Sequence, residues 1–379
     1  MKRKMEETKK IPVTVLTGFL GSGKTTLLNH ILNDGTHGMK FAVIENEFGE
    51  IGVDDKIIPE AVDEEVIEVM NGCICCTVRG DLVEALKRLQ KRVDKFDGVI
   101  IETTGLADPA PVVQTFFVDE DIPTMYSLDS VITVVDAKVI LDRLAEEKPD
   151  GVENEAVEQV CFADKVLLNK TDLADESKLK KIEGEIRKLN PTAPILRCLH
   201  SKVTPKELLN IRAFDLKRVL DFDPEFLDPD QGNVNQHMLS RWIGRLIQEE
   251  GANLYRYKGI LAIKGVEEKF IFQGVGMLFD GNISDMKWNV PEAERENVFV
   301  FIGKHLDHAW LKDCFQACIV TDQLRFKVGD KVQANIGEYT NGTIKKLWDD
   351  GNAYRIELDD EEKTNVYAPI DVDTYVKAR

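Results

Sequence analysis

The sequence predicts an α/β protein: a doubly wound P-loop NTPase sheet followed by a small α+β domain and a small all-β barrel. Three observations carry this. From residue 11 to 198, short apolar, β-branched runs alternate with helix-length periodic segments, the pattern of a parallel sheet covered by helices. A glycine-rich phosphate loop directly follows the first run and directly precedes a helix. Beyond Pro205 the alternation stops, and the last 55 or so residues are short β segments separated by Gly, Asn and Asp turns.

In order, strands are expected at Val13–Leu16, Phe41–Ile44, Val99–Ile101, Val131–Val135, Val166–Leu168 and Ile195–Leu196. Helices are expected at Lys24–Leu32, Asp81–Val93, Glu153–Cys161 and Ser177–Leu189. Together they make a nucleotide domain over 11–205, preceded by a basic tail at 1–10. The second domain, 206–324, carries an amphipathic helix near His237–Gln248, extended runs at Gly259–Ile263, Phe270–Phe279 and Val298–Ile302, and a final helix at Asp307–Ile319. The barrel, 325–379, has β segments at Lys331–Ile336, Gly342–Leu347, Tyr354–Leu358 and Asn365–Ala368.

The chain has 379 residues, enough for two or three domains, each able to bury its own core. Its 49 basic and 67 acidic residues give a formal charge of -18, which repels phosphate backbones and anionic lipid and argues against a nucleic-acid partner. The polar stretch Glu6–Lys10 stands where a signal peptide needs its apolar core, and no apolar run approaches the roughly 18 residues of a membrane span. A cytoplasmic protein with no membrane partner is expected. Seven cysteines is an odd number, and three crowd into Cys73-Ile74-Cys75-Cys76, so reduced thiols with a chemical task are expected over a disulfide framework.

Gly18, Gly21, Ser22, Gly23, Lys24, Thr25 and Thr26 form the expected phosphate cradle. The glycines let successive N–H groups turn toward phosphate, and the helix N-terminus adds its positive end. Lys24 is expected to reach the β and γ phosphates and Thr25 to ligate Mg²⁺. Asn169-Lys170-Thr171-Asp172 follows an apolar strand and selects GTP, because the Asp172 carboxylate pairs with guanine donors that adenine lacks. Between these motifs, Glu102 ends a strand and is the expected acid of the Mg²⁺ shell, while Gly105 is placed to offer its N–H to the γ-phosphate. Leu106 stands where Ras-like GTPases keep a water-orienting glutamine, so intrinsic hydrolysis should be slow.

Three thiolates within four residues disfavour Mg²⁺ or Ca²⁺ and suit zinc, cobalt or Cu(I). Cys73, Cys75 and Cys76 fall between Glu45-Asn-Glu47-Phe-Gly-Glu50, where a GTPase keeps its first switch, and the Glu102 strand, so metal and γ-phosphate would act on one segment. A second cluster, His305, His308, Cys314 and Cys318, reads better as solvated histidines and core cysteines.

The series Gly18-x-x-Gly-x-Gly-Lys-Thr25, Glu45-Asn-Glu-Phe-Gly49, Gly72-Cys-x-Cys-Cys76, Glu102-x-x-Gly105 and Asn169-Lys-x-Asp172 resembles the CobW/YjiA family of metal-handling GTPases. Arg256-Tyr-Lys-Gly259, Phe272-Gln-Gly-Val275 and Phe301-Ile-Gly303 are similar to that family's C-terminal domain. The resemblance implies a SIMIBI-class GTPase fold, Mg²⁺ and GTP, and delivery of Zn²⁺ or Co²⁺ to client metalloenzymes. It also implies that Glu45 joins the metal site and makes Glu47 a candidate for metal or switch chemistry. A homodimer is compatible with it. Three departures stand out: no histidine-rich stretch, Gly276 where some members have His after the Gln-Gly-Val motif, and no Cys-Pro motif in residues 1–10, through which eukaryotic members dock on methionine aminopeptidase. The tail from Lys327 looks SH3-like or Tudor-like, with an unknown ligand. Its Tyr339, Trp348, Tyr354 and Tyr367 either cage a methylated side chain or pack the barrel. The competing functional reading is a GTPase with a structural zinc that recruits partners through this barrel.

Overall fold

The computed structural model describes residues 10–45, 66–68, 77–92, 95–119, 121–149, 153–213, 230–320 and 323–379. Contacts divide the chain into two units, Met1–Arg218 and Val219–Arg379.

The first unit runs β1 (Ile11–Thr17), α1 (Lys24–Asn33), β2 (Phe41–Glu45), β3 (Val66–Glu68), α2 (Thr77–Gln90), β4 (Gly98–Glu102), α3 (Ala110–Val118), α4 (Ile122–Met125), β5 (Tyr126–Asp136), α5 (Ile140–Leu144), α6 (Glu155–Phe162), β6 (Lys165–Asn169), α7 (Glu176–Leu189) and β7 (Ile195–Arg197). Its described strands form one parallel sheet in the order β3-β2-β4-β1-β5-β6-β7. Parallel strands covered on both faces read as continuous apolar runs, and β5 is buried along nearly all its length. Leu27, Leu28 and Ile31 of α1 pack on one face with Leu16, Ile100, Ile132 and Leu167, while Ala156 and Val160 of α6 and Ile182 and Ile186 of α7 pack on the other with Val135 and Leu168. The connection after β1 runs toward the β3 edge and that after its neighbour β5 toward the β7 edge, so a crevice opens at the carboxyl end of β1, where doubly wound sheets bind ligands.

The expected strands and helices of this unit are present, with ends moved by a few residues and Val93 outside the described residues. Three helices have no counterpart in the periodicity. The first, α3, begins between Pro109 and Pro111 and carries Val112, Val113, Thr115 and Phe116 buried, so almost no polar face betrays its period. The other two, α4 and α5, are only 4 and 5 residues long.

In the second unit, β8 (Asp230–Gln231) and α8 (Gln236–Glu250) precede β9 (Leu254–Leu261), β10 (Glu268–Val275), β11 (Leu278–Lys287), β12 (Glu296–Gly303) and α9 (His308–Gln316). An antiparallel sheet, β11-β10-β9-β12-β8, carries the two helices. Trp242 of α8 and Phe315 of α9 meet at 5.6 Å between ring centroids and pack against Tyr257, Phe272 and Phe301 of the sheet. The apolar run Phe270–Phe279, expected as one extended segment, is instead a hairpin: Gly276, at φ 58°, turns the chain between β10 and β11.

The last strands, β13 (Lys331–Asn335), β14 (Tyr339–Asp349), β15 (Asn352–Leu358), β16 (Asn365–Ala368) and β17 (Val376–Ala378), form an antiparallel sheet in the order β16-β15-β14-β13-β17. Val332, Ile344, Tyr354, Ile356 and Val376 fill its core. Tyr354 is therefore a packing residue, its ring 5.9 Å from that of Phe326. Tyr339 already carries Lys377 Nζ 3.5 Å from its ring centroid, and Tyr367 carries Arg355 at 5.9 Å, so both rings face cations of the chain itself. This sheet rests on α8. Asn235 caps α8 with Oδ1 and donates from Nδ2 to Pro369 O at 2.8 Å, His237 Nε2 lies 3.1 Å from Tyr375 Oη, and the backbone of Gly265 abuts Trp348.

Candidate functional site

The loop between β1 and α1 is shaped by its glycines. Gly18, Gly21 and Gly23 have φ of 138°, 75° and 112°, which side-chain-bearing residues rarely adopt. Two of them also have no room for a side chain: a Cβ on Gly18 would lie 2.2 Å from Val134 O, and one on Gly23 2.5 Å from Asn169 Nδ2. The loop thus turns backbone N–H groups inward at the α1 N-terminus.

Lys24 folds back into this cradle, donating to Gly18 O at 2.8 Å and Phe19 O at 3.4 Å. Burial lowers its pKa, an effect that the nearby Glu102 carboxylate opposes. Thr25 Oγ1 donates to Glu102 Oε1 at 2.7 Å, joining the start of α1 to the end of β4. A hydroxyl and a carboxylate oxygen side by side next to a phosphate cradle are hard oxygen donors of the kind Mg²⁺ takes. Ser22 is buried in the same loop, and Thr26 is exposed in the first turn of α1.

Asn169 is the hub of the base side. Its Nδ2 donates to Ser22 O at 2.9 Å and to Ser201 Oγ at 3.0 Å, and its Oδ1 accepts from Ser201 N at 2.9 Å. Ser201 Oγ donates in turn to Gly23 O at 2.9 Å. Lys170, at φ 57°, reaches across the loop to Gly21 O at 2.7 Å and pairs with Asp136 Oδ2 at 2.7 Å. Asp172 lies exposed in the short 3₁₀ turn Thr171–Leu173, open to a base.

Gly105 presses against the phosphate loop, since a Cβ there would lie 2.5 Å from both Leu20 N and Leu20 Cα. Leu20 and Leu106 are 75% and 60% exposed, an unusual state for leucine and one in which Leu106 offers no group to orient water. Glu45 ends β2 in register with Glu102 of β4, so the two glutamates sit on the same face at the carboxyl edge. Glu47, Cys73, Cys75 and Cys76 lie outside the described residues. Among the described residues no group of three or more His, Cys, Asp or Glu is disposed to hold a metal ion. Cys318 is buried and donates to Cys314 O at 3.4 Å, so His305, His308, Cys314 and Cys318 do not form a second centre.

Three residues of the site escaped sequence reasoning. Ser201, buried at φ 54°, was signalled only by a Ser-Lys pair just after the last β run. Asp136 ends β5 in register with Asn169, a position inferable once the strand pairing is known. Gln159 donates from α6 to the carbonyls of Gly105 and Ala107, and no motif contains it.

A glycine cradle with an inward lysine, a Thr–Glu pair at its mouth and an Asn-Lys-x-Asp turn beside it define a P-loop GTPase. The chain belongs to the CobW family: residues 12–197 match "CobW/HypB/UreG, nucleotide-binding domain" and 229–319 match "Cobalamin synthesis protein cobW C-terminal domain". It is similar to the zinc chaperone YjiA of Escherichia coli (strain K12), 38% identical over 325 residues that make up 80% of this chain and 98% of that one. It is 40% identical over 247 residues to zinc-regulated GTPase metalloprotein activator 1 of Dictyostelium discoideum, spanning 57% of this chain and 52% of that one. The crystal structure of Zn(II)-bound YjiA from E. coli superposes with a TM-score of 0.67 at 34% identity, covering 83% of this chain and all of that one. A Zn(II)-bound triple mutant of YjiA, with one glutamate and two cysteines replaced by alanine, superposes with a TM-score of 0.68 at 33% identity, covering 83% of this chain and 100% of that one. The chain is a metal-handling GTPase. Among the described residues no helix is long and apolar enough to cross a membrane.

Proposed function

We propose that this chain is a GTP-hydrolysing metallochaperone that takes zinc at Cys73, Cys75 and Cys76 and hands it to client metalloproteins in the cytoplasm. The observation that carries the reading is a Cys-x-Cys-Cys segment inside a GTPase whose full-length relative, YjiA, is named a zinc chaperone and has a zinc-bound crystal structure. Glu45 completes the metal site from the edge of β2, and Glu47 belongs to the same segment. Cobalt is the alternative cargo that thiolate ligands allow. The working division of labour is 11–205 for nucleotide and metal, 206–324 for the family's C-terminal domain, and 325–379 for a further partner.

In the nucleotide step Lys24 exchanges the Gly18 and Phe19 carbonyls for phosphate oxygens, which restores its charge-stabilising partners. Thr25 and Glu102 would hold Mg²⁺, which would supply neutralisation of the charge that develops on the phosphates. Gly105 offers its N–H to the γ-phosphate, and Asp172 accepts from guanine while Asn169 locks the base turn to the phosphate loop. With Leu106 beside the γ-phosphate, unassisted turnover is expected at roughly 10⁻⁴ to 10⁻² per second.

Chaperoning requires that nucleotide and metal favour one switch conformation, each then raising the other's affinity by the same factor, typically 5- to 150-fold. The test is zinc affinity in a chelator-buffered series with Mg²⁺ and a non-hydrolysable GTP analogue, then with Mg²⁺ and GDP. The expected outcome is tighter zinc in the GTP-like state, lost when all three cysteines become Ser. Zinc in the alanine-substituted relative warns that occupancy alone does not identify the transfer site, so affinity and its nucleotide dependence are the readout. Equal affinities in the two states would exclude transfer driven by hydrolysis.

A further inference from the structure

Gln159 is 1% exposed on α6 and lies outside every nucleotide motif, yet its carboxamide nitrogen makes two bonds to one functional loop. Nε2 donates to Gly105 O and to Ala107 O, each at 3.2 Å. An amide nitrogen has two protons, so both carbonyls can be held at once. Because a trans peptide points its C=O and N–H in opposite directions, fixing the Gly105 carbonyl also fixes the Leu106 N–H on the side away from Gln159.

The base of this clamp is itself anchored. Thr133, in the middle of β5, donates from Oγ1 to the backbone carbonyl of Gln159 at 2.6 Å. Thr133 is in register with Thr17 of β1, and Thr17 Oγ1 accepts from Thr103 at 3.0 Å, two residues before Gly105. The Thr103 backbone N–H also donates to Leu16 O at 2.9 Å. The loop after β4 is thereby tied to β1 on its near side and to α6 on its far side, with Gly105 pressed on the Leu20 backbone between the two ties. Three independent contacts set the height of this loop above the phosphate cradle.

We propose that Gln159 is a positioning residue for GTP recognition and hydrolysis: it holds the loop Gly105–Ala107 in the shape that reads the γ-phosphate. The inference rests on the reading that Gly105 faces that phosphate. A merely structural glutamine would satisfy two buried carbonyls and stabilise both nucleotide states alike. A positioning glutamine acts on the γ-phosphate alone, because GDP has nothing for the loop to read.

The experiment compares Gln159→Met, which keeps the length and removes both donors, with the unaltered full chain. Affinity for a non-hydrolysable GTP analogue and single-turnover hydrolysis should each fall about tenfold, the factor that accompanies loss of roughly one net hydrogen bond, with GDP affinity changed less than about twofold. If the Met variant does not fold, Gln159→Asn keeps the amide, withdraws it by one methylene and is expected to show the same selective loss. An equal loss for both nucleotides, or unchanged analogue affinity and hydrolysis in a folded variant even with a lowered Tm, overturns the proposal. Gly105→Ala separates the two readings. If it leaves GTP-over-GDP preference intact, the placement of Gly105 at the γ-phosphate fails. If it erodes that preference while Gln159→Met does not, the clamp alone fails.

Discussion

The two units spend buried space differently. In the first, Thr17, Ser22, Lys24, Glu102, Thr103, Asn169 and Ser201 are buried polar side chains gathered at the carboxyl edge of the sheet. In the second, Trp242, Tyr257, Phe272, Phe301 and Phe315 fill the space between sheet and helices. Buried polar groups cost free energy unless partnered, whereas buried aromatics stabilise directly through the area they remove from water. Substitutions at the polar edge should therefore remove activity and spare the fold, and substitutions in the aromatic core should do the reverse.

The sharpest way to break this contrast is Lys24→Ala, which should take GTP turnover below detection in a phosphate-release assay while thermal unfolding stays within a few degrees of the unaltered chain. A large drop in Tm would make Lys24 a structural residue instead. On the other side, Phe315→Ala removes a fully buried ring and should cost about 3 to 5 kcal/mol of stability in denaturant melts of the second unit. GDP affinity, measured by titration calorimetry at low denaturant, should not move. Asp172→Asn is the intermediate case: an exposed residue whose loss should weaken GTP binding by about 1 to 3 kcal/mol with no stability change, and favour xanthosine nucleotides. Unchanged GTP affinity there would remove the base assignment.

The smallest effect concerns the contact of His237 with Tyr375. Burial, with the nearby Arg241 charge second, holds the His237 pKa below its usual value. A histidine depressed in the folded state contributes stability that is present above its unfolded pKa of about 6.5 and lost as pH falls through the lower folded pKa. The melting temperature of the second unit should therefore fall slightly below about pH 6.5, and His237→Gln should flatten that dependence. An unaltered slope in the variant would assign it to other groups.

How far the sequence reached follows from what each feature depends on. The phosphate loop was legible because its glycine spacing encodes backbone conformation directly, and the base turn because Asn169 follows an apolar strand. The largely apolar α3 was not legible, since a helix with almost no polar face has nothing to mark its period. Nor was the break in Phe270–Phe279, where one glycine outweighs a continuous apolar run. Ser201, Asp136 and Gln159 matter through partners 32, 34 and 54 residues away, and such meetings exist only once the sheet order is known.

The seat of the C-terminal sheet on α8 bears on how its task can be probed. Cutting the chain after 324 would strip Pro369 from the Asn235 amide, Tyr375 from His237 and Trp348 from the glycine corner at Gly265. Truncation would thus lay bare the start of α8 as well as delete a module, and a phenotype from it would mix two causes. Charge changes at exposed positions such as Tyr367 and Val372, which leave that seam intact, are the cleaner instrument.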